Sequence, residues 1–378
     1  MSHVSSHPSP GAAPLRTVQV LGGGSAGSCA HVRSLASGLV ARGVRVKVAA
    51  PDETEQDHDF TGAGAEHAHV PRSSDPASLT LLRDACKDAD LVHAHGLHAS
   101  FRAALALGGR RTPLVVTWHH RTHAEGARGH LLRLLERQVV KSATVVLGAT
   151  SDLVDRARRR GARDARLAAV ALPGGPRTAR TDDTDGQGAK LRAELGATER
   201  PLLVSAGALE PHRGHDVLLD ASRAWCRLDP VPLLVVAGEG PLRPELQRQI
   251  EDEDLPVRLI GHRDDETALL AAADLALLPS RWEPLSPLAQ EALRARVPLV
   301  ATAVGGIPDL VGDAAELVPY GNARALADAV VRLLGDPGRR ELLREKGARQ
   351  AAGWPTEDET VAQVLSVYDE LTLLRPLP

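Results

Sequence analysis

One stretch of the sequence reads Pro279-Ser-Arg-Trp-Glu-Pro-Leu-Ser-Pro-Leu-Ala-Gln-Glu-Ala-Leu293. The apolar run Leu275-Ala-Leu-Leu278 directly before it is typical of a buried strand, and the apolar spacing from Pro287 onward predicts a helix. Two glutamates, Glu283 and Glu291, lie on the turn and on the predicted helix. A buried strand that leads straight into a helix is the repeating unit of a parallel α/β sheet.

The same alternation extends in both directions from this stretch. In the second half, strands are predicted at 202–205, 233–237, 257–260, 275–278, 299–301 and 315–318, with helices at 216–229 and 287–295. In the first half, strands are predicted at 17–21, 44–48, 91–93, 114–117, 144–147 and 166–170, with helices at 31–42, 130–141 and 152–160. The pattern predicts two consecutive doubly wound α/β domains, with a ligand cleft between the carboxyl ends of their strands.

Length and composition agree with two domains. The chain has 378 residues, of which 43% are apolar and 25% charged. Residues 1–14 are rich in Ser, His, Pro and Gly and are expected to form a disordered tail without a signal peptide. The first domain is expected at 15–172, a linker at 173–200, the second domain at 201–353, and a final helical segment at 354–378.

Composition also excludes several classes of protein. The net charge of −3 argues against a general nucleic-acid binder, and no run of eighteen apolar residues is present to span a membrane. The three cysteines lie far apart in the sequence, which is typical of a reducing, cytoplasmic compartment and argues against a zinc site. The oligomeric state cannot be read from the sequence.

The glycine-rich segment Gly22-Gly-Gly-Ser-Ala-Gly27 offers a competing interpretation. It matches G-x-G-x-x-G between a strand and a helix, and Asp52 follows the next strand, as in dinucleotide-binding domains. An NAD(P)-dependent oxidoreductase is therefore the alternative enzyme class. A glycine turn that merely joins a strand closely to a helix explains the same residues, and the second half carries no hydride-acceptor motif.

Several segments follow predicted strands and are expected to line one sheet edge in each half. In the second half these are Gly207-Ala-Leu-Glu-Pro-His-Arg-Gly214, Ala237-Gly-Glu-Gly-Pro241, Leu259-Ile-Gly-His-Arg263, the stretch 279–293 and Gly305-Gly-Ile-Pro-Asp-Leu-Val311. In the first half they are Gly27-Ser-Cys-Ala-His-Val32, Asp90-Leu-Val-His-Ala-His-Gly96 and Val115-Val-Thr-Trp-His119. Together, from about Thr17 to Tyr368, they resemble the retaining, family 4 type of nucleotide-sugar glycosyltransferase (group 1 type).

The resemblance implies the GT-B fold, in which two Rossmann-like domains face a central cleft and a C-terminal helix crosses back to the first domain. It also implies roles for residues of the second half. Glu283 contacts the donor sugar, and Glu291 holds the ribose diol, since a carboxylate accepts two hydroxyl donors at once. The donor-binding residues that the resemblance implies in this half are Gly207, Arg213, Gly261, His262, Arg263, Leu285, Ser286, Leu288 and Glu291. Among these, Arg213 and the amides of Leu285, Ser286 and Leu288 stabilise the leaving diphosphate, and Gly261, His262 and Arg263 form the nucleobase loop.

In the first half, the resemblance places the backbone of Gly27 and Ser28 close to the donor phosphates and His119 near the reacting carbon. His95 and Arg121 are assigned to the acceptor side. His93 and His95 share one strand, and only one of them is expected to face the cleft. The implied mechanism is front-face displacement with retention, in which the departing phosphate takes the acceptor proton. No cofactor or metal is implied, because no Asp-x-Asp follows a strand where a divalent ion would bridge the diphosphate.

The expected partners are a UDP-, GDP- or ADP-sugar and an unidentified hydroxyl acceptor, with no nucleic acid. Residues 15–172 carry a charge balance of +7 and residues 173–378 one of −10, which favours a phosphate-bearing acceptor or peripheral contact with an anionic membrane. One run of basic residues carries the membrane alternative, namely Arg156, Arg158, Arg159, Arg160, Arg163 and Arg166. A solvated helix face is the other interpretation of that run.

Two positions depart from the family pattern. Ala208 stands where the family has an arginine after the phosphate-loop glycine, and Arg213 stands where the family has a lysine. Pro287 removes an amide that the family commonly offers after its first glutamate. A degenerate, non-catalytic relative that acts as the partner of another enzyme is therefore a second alternative.

Overall fold

The computed structural model describes residues 13–22, 26–72, 75–121, 126–168, 170–171, 182–263 and 265–373. The predicted tail therefore lies almost wholly outside the described residues, as do residues 23–25 of the glycine-rich segment. The chain divides into two compact units. Unit 1 comprises residues 1–173 and 355–378, and unit 2 comprises residues 174–354.

Unit 1 is built on a seven-stranded parallel sheet. Its strands are β1 (Arg16–Leu21), β2 (Arg45–Ala50), β3 (Glu66–His69), β4 (Leu91–His95), β5 (Leu114–Trp118), β6 (Val145–Gly148) and β7 (Ala165–Leu167). Their spatial order is β3-β2-β1-β4-β5-β6-β7, so the strand order reverses direction between β1 and β4. A reversal of this kind is the topological switch point of a doubly wound sheet, where ligands bind outside the carboxyl ends of the strands.

Seven helices of unit 1 are described. They are α1 (Ala26–Ala41), α2 (Asp52–His58), α3 (Pro76–Ala85), α4 (Leu97–Ala106), α5 (Gly126–Ser142), α6 (Ser151–Arg160) and, at the other end of the chain, α15 (Glu357–Leu373). Strand β4 is buried at every position, as expected for a sheet covered on both faces.

The C-terminal helix α15 belongs to unit 1, which confirms the crossover that the family resemblance implied. It begins with a capping box, in which the Glu359 amide donates to the Thr356 hydroxyl and the Glu359 carboxylate accepts from the Thr356 amide. Its buried face, including Val361, Val364 and Tyr368, joins the core formed with α1. The ion pair between Arg166 and Glu370 adds a link to β7.

Unit 2 contains a six-stranded parallel sheet. Its strands are β8 (Leu202–Ala206), β9 (Leu233–Ala237), β10 (Val257–Gly261), β11 (Leu275–Leu278), β12 (Leu299–Thr302) and β13 (Ala315–Val318). Their order is β10-β9-β8-β11-β12-β13, which places the switch point between β8 and β11. Its helices are α7 (Asp182–Leu195), α8 (His215–Ser222), α9 (Arg243–Asp252), α10 (Glu266–Ala271), α11 (Pro287–Arg294), α12 (Ile307–Val311), α13 (Ala323–Gly335) and α14 (Pro337–Ala352).

The structure corrects some of the predicted elements. The segment 173–200, predicted as a linker, contains α7, and Leu191 and Leu195 of that helix lie in the core of unit 2. The helix predicted at 216–229 ends at Ser222 and is followed by a 3₁₀ turn at Trp225–Arg227. In α7, polar residues and glycines dominate the start of the helix, while the buried apolar contacts of Leu191 and Leu195 decide the local structure.

Within the described residues, no helix combines the length and the apolar character that a bilayer crossing requires.

Candidate functional site

The first candidate site lies at the switch point of unit 2, where the loops after β8 and β11 run side by side. The amide of Arg281, in the second loop, donates to the carbonyl of His212 in the first at 2.8 Å. The hydroxyl of Thr302, at the end of β12, donates to the Ser280 carbonyl at 2.6 Å. These bonds fix the segment 279–286 at the carboxyl edge of the sheet.

Two glycines allow the loops to approach so closely. Gly214 adopts φ +74°, and a Cβ there would overlap the carbonyl oxygen of Pro279. Gly305 adopts φ +57°, and a Cβ there would overlap the carbonyl oxygen of Glu283, which also accepts from the Gly306 amide at 2.9 Å. The segment that leads to Glu283 is therefore in direct contact with two glycines, Gly214 at Pro279 and Gly305 at Glu283.

The two predicted charged residues of these loops are brought together. Arg213 Nη1 lies 2.6 Å from Glu283 Oε2, and Glu283 is only 5% exposed. The Nε of Arg213 is buried and has no hydrogen-bond partner among the described residues. The guanidinium thus has donor capacity that the protein does not use, and the buried carboxylate has a partner that an incoming anion would compete for.

Helix α11 begins at the same edge. Ser286 caps it, because its hydroxyl accepts from the Ala289 amide at 3.3 Å. Pro287 occupies the first helical position and has no amide hydrogen, while the Leu288 amide has no partner in the described part of the chain. A free amide at a helix amino terminus attracts an anion.

Glu291 lies one turn further along α11 and is partly exposed. Its carboxylate accepts from Arg294 Nη1 at 2.8 Å within the same helix. One carboxylate oxygen of Glu291 is therefore engaged by a neighbour on the helix surface, and this surface pair contributes little to stability.

The remaining predicted donor residues follow β8 and β10. Gly207 bonds to the end of β9, where its amide donates to the Ala237 carbonyl, and the Gly261 carbonyl accepts from the Gly238 amide at 2.7 Å. Arg263 is held by Asp265, whose carboxylate lies 2.5 Å from Nη2 and raises the pKa of the guanidinium. The structure therefore holds Gly207 and Gly261 at the ends of β8 and β10, on either side of β9, and turns Arg263 toward Asp265.

The second candidate site lies in unit 1, at the carboxyl ends of β1, β4 and β5. The rings of His95 and His119 are stacked with centroids 5.5 Å apart, and His95 Nδ1 lies 3.3 Å from His119 Nε2. His31, from α1, packs edge-on against His119 at 5.1 Å. His119 thus sits in a cluster of imidazoles beside the switch point of the first sheet.

The premise that His93 and His95 alternate between the two faces of their strand, so that only one could face the cleft, is wrong. Residues two positions apart on a strand point to the same face, and these rings lie 4.2 Å apart. His93 extends the cluster deeper into the sheet, where it meets the hydroxyls of Thr117 and Tyr368 at 2.6 and 2.7 Å.

Sequence reasoning missed His31, Gln19 and Tyr368 as members of this cluster. Gln19 bonds to His95 Nε2 and to the Tyr368 hydroxyl, both at 3.0 Å, and it is fully buried. A signal was present in the sequence, because a glutamine in the middle of the apolar strand 17–21 must find buried partners.

Burial keeps these imidazoles neutral. It lowers the pKa of His31 to about 4. Burial, together with the smaller effect of the neighbouring His31, lowers the pKa of His93 to about 3. Burial also places the pKa values of His95 and His119 well below the ordinary value, and the surrounding histidines add to the effect. At neutral pH each ring therefore carries one proton.

Three histidines of the cluster are spaced closely enough to hold a metal ion. His31, His95 and His119 each offer a nitrogen within 4.8 Å of the others, and neutral imidazoles suit Zn²⁺. The pair His95 and His119 is already satisfied by its own hydrogen bond. Each of these two rings therefore uses one nitrogen to bond the other.

The other predicted site residues of unit 1 are Gly27, Ser28 and Arg121, and their surroundings differ. No described atom lies within 4 Å of a Cβ added at Gly27, so its backbone is open, whereas Ser28 is buried. The Nε of Arg121 is buried without a described partner, and burial followed by the charge of Arg156 lowers the pKa of Arg121. Arg121 sits among charges of both signs, because Asp152 and Glu136 oppose the effect of Arg156 and Arg159 on its pKa.

The arginine run that suggested a membrane face is largely engaged in ion pairs. Arg156 and Arg160 both bind the buried Glu136, at 2.6 and 2.7 Å. Arg166 binds Asp164 and Glu370. Arg156, Arg160 and Arg166 therefore tie helices and strands of unit 1 together, which differs both from a free basic surface and from the solvated helix face.

Comparison with known families identifies both halves of the chain. A family model described as Glycosyl transferases group 1 matches residues 188–350. A second, described as Glycosyl transferase 4-like domain, matches residues 26–173. The matched ranges contain both candidate sites, apart from Gln19 and Tyr368.

Among curated relatives, the alpha-D-kanosaminyltransferase of Streptomyces kanamyceticus is 30% identical over 265 residues, which are 68% of this chain and 68% of that protein. The D-inositol 3-phosphate glycosyltransferase of Xylanimonas cellulosilytica is 31% identical over 322 residues, covering 76% and 73%. Among solved structures, Anabaena HepE in complex with UDP superposes with a TM-score of 0.77 at 20% identity, covering 95% of this chain and all of that one. The chain belongs to the group 1, glycosyltransferase 4-like family and is a glycosyltransferase of the GT-B fold.

Proposed function

We propose that this glycosyltransferase moves a sugar from a nucleoside diphosphate sugar to a hydroxyl acceptor with retention of configuration. The observation that carries the proposal is the ion pair between Arg213 and the buried Glu283 at the switch point of unit 2. A doubly wound sheet binds its ligand at this point, and the two side chains are matched to the two parts of a sugar diphosphate. The family resemblance supports the same assignment.

The chemistry of each group follows from its surroundings. A diphosphate offers Arg213 and the free Leu288 amide the anionic oxygens that they lack, and both stabilise charge that develops as the diphosphate departs. Glu283, released from Arg213, accepts hydrogen bonds from sugar hydroxyls. Glu291 accepts hydrogen bonds from the two ribose hydroxyls, which displace Arg294 from the Glu291 carboxylate.

The donor is tested by thermal unfolding with UDP, GDP, ADP, dTDP and NAD(P)H, each at millimolar concentration. UDP comes first in this series because HepE was solved with it. One diphosphate is expected to raise the unfolding temperature by a few degrees, since a ligand at 100 times its Kd adds about 2.7 kcal/mol. Stabilisation by NAD(P)H alone would instead support the oxidoreductase alternative.

Glu291→Ala is expected to abolish the shift produced by that diphosphate, because nothing else then accepts both ribose hydroxyls. Glu345→Ala, an exposed carboxylate on α14, is the matched control and should leave the shift unchanged. Wild-type binding by Glu291→Ala would refute the assigned role. The variant removes only a surface ion pair, so its fold should persist.

We further propose that the acceptor carries a phosphate. Arg121 supports this, because its buried Nε lacks a partner among the described residues and is a donor suited to a phosphate oxygen. A relative of the chain is named for D-inositol 3-phosphate, an acceptor of that class. In sugar-transfer assays with phosphorylated and unphosphorylated polyols, Arg121→Gln should raise the acceptor KM about tenfold for phosphorylated acceptors only. An equal change for both acceptor classes would contradict the phosphate contact.

Two further possibilities, a degenerate relative and peripheral membrane contact, can each be tested directly. If Ala208 marks a decayed site, Ala208→Arg should strengthen diphosphate binding ten- to hundredfold, the value of one charge-assisted contact of about 1.5–3 kcal/mol. No gain would mean that another group already supplies the second cation. Peripheral membrane contact stays a prediction, and co-sedimentation with anionic vesicles at rising salt tests it.

A further inference from the structure

Six polar side chains form one continuous hydrogen-bonded chain inside the core of unit 1. In order, they are Thr117, His93, Tyr368, Gln19, His95 and His119. Gln19, His93 and Tyr368 are 0% exposed. Burying polar groups is costly unless each finds a partner, so a fully bonded chain in this position indicates a specific requirement.

The orientation of the Gln19 amide determines which atom donates in each hydrogen bond of this chain. Its Nε2 donates to the Tyr368 hydroxyl oxygen at 3.0 Å, and its Oε1, which only accepts, faces His95 Nε2 at 3.0 Å. The proton of the neutral His95 ring must therefore be on Nε2. The Tyr368 hydroxyl, having accepted from Gln19, donates its own proton to His93 Nδ1 at 2.7 Å.

The consequence reaches His119 through one further bond. With its proton on Nε2, His95 has a bare Nδ1 that accepts from His119 Nε2 at 3.3 Å. The neutral His119 ring then carries its proton on Nε2 and leaves Nδ1 as a lone pair. His119 thus offers a substrate hydroxyl a hydrogen-bond acceptor and has no proton to give from that nitrogen.

We propose that Gln19 and Tyr368 are positioning residues that fix the tautomer of His119 through His95, so that the C-terminal helix α15 sets the chemistry of the transferase site in unit 1. This inference rests on the proposed function in placing His119 at the reacting carbon. Tyr368 is the decisive member, because it joins Gln19 and His93 and comes from α15 rather than from the sheet. A reversed Gln19 amide would invert every proton in the chain and move the His119 proton to Nδ1.

The tautomer is measured directly by long-range ¹H–¹⁵N NMR on ligand-free protein labelled at histidine, with His119 assigned from His119→Gln. The wild-type ring is expected to be protonated at Nε2 and bare at Nδ1. Protonation at Nδ1 would overturn the proposal. This result is independent of any catalytic assay, so an inactive protein would count against the proposed function and leave the tautomer measurement decisive for the inference.

The role of the helix is tested with Tyr368→Phe, which removes one oxygen atom and keeps the ring in the core. The released Gln19 amide can reverse, so the His119 signals should become a mixture of both tautomers, and kcat should fall in proportion to the fraction of rings that lose the Nδ1 lone pair, about twofold for an even mixture, while the donor KM stays unchanged. Tyr320→Phe, at an exposed tyrosine of unit 2, is the matched control. If Tyr368→Phe lowers only the unfolding temperature and leaves the tautomer and kcat unchanged, Tyr368 is merely structural and the proposal fails.

Discussion

At the scale of single residues, Arg213 and Glu283 form an ion pair at the proposed donor site. The Arg213 guanidinium neutralises Glu283, which is buried at the point where two loops meet. An unpaired carboxylate in that position would be unfavourable, and an unpaired arginine would be drawn into other contacts. The pair therefore holds both charges in place, and under the proposed function a diphosphate would separate them.

Arg213→Met is expected to weaken diphosphate binding ten- to hundredfold, since it removes one charge-assisted contact of about 1.5–3 kcal/mol. It should also lower the free energy of unfolding by about 1–3 kcal/mol, because Glu283 loses its buried partner. Isothermal titration and urea unfolding measure the two effects. Arg213→Lys should recover most of the binding, and Arg248→Met, on the exposed face of α9, should change neither quantity. Binding as tight as wild type in Arg213→Met would remove Arg213 from the donor site.

At the scale of secondary structure elements, the sequence predicted most of the strands because they are apolar runs bounded by turn formers. Strand β3, Glu66–His69, was missed because it is a polar edge strand with no apolar run. Helix α7 was missed because its sequence, Asp-Asp-Thr-Asp-Gly-Gln-Gly at the start, has the composition of a linker. In such elements tertiary contacts outweigh local propensity.

The residues of the two candidate sites likewise include some that the sequence predicted and some that it missed. Glu283, Glu291 and Arg213 were predictable because they stand in a motif at a strand end. The roles of Gln19 and Tyr368 were not, because 349 positions separate them in the chain and only the packing of α15 on the sheet joins them.

The packing of α15 against α1 is itself testable, because Gly38 leaves room for Val361. A Cβ at Gly38 would lie 2.5 Å from Val361 Cγ2. Gly38→Ala is therefore expected to destabilise unit 1 by about 1–3 kcal/mol, although alanine favours helices. In a double-mutant cycle measured by urea unfolding, Val361→Ala should offset part of this loss, with a coupling of about 0.5–3 kcal/mol.

Gly27→Ala supplies the control for that cycle, since it lies on the same helix with no described atom near its Cβ. Its effect should add to that of Val361→Ala without coupling. Equal coupling energies in the two cycles would mean that Gly38 does not set the spacing between the helices.

At the scale of the whole molecule, the buried histidines are shared unequally between the units. Unit 1 contains His31, His93, His95 and His119, while unit 2 contains His215, whose pKa burial lowers to about 4. In the unfolded chain each of these groups titrates near its ordinary value of about 6.5. The unfolded state therefore binds more protons than the folded state once the pH falls below that value.

Acid should consequently destabilise unit 1 before unit 2. Stability is constant well above pH 6.5, begins to fall as the pH approaches that value and keeps falling toward the folded pKa values, because protons then favour the unfolded chain. Between pH 7.5 and pH 5.5 each histidine removes about 1 kcal/mol, so unit 1 should lose roughly 4–5 kcal/mol and unit 2 roughly 1 kcal/mol. Hydrogen exchange followed by mass spectrometry resolves the two units, and His31→Gln should reduce the loss in unit 1 alone. An equal loss in both units would show that the imidazoles of unit 1 do not stay neutral in the folded protein, and the proton order inferred for His119 would lose its basis.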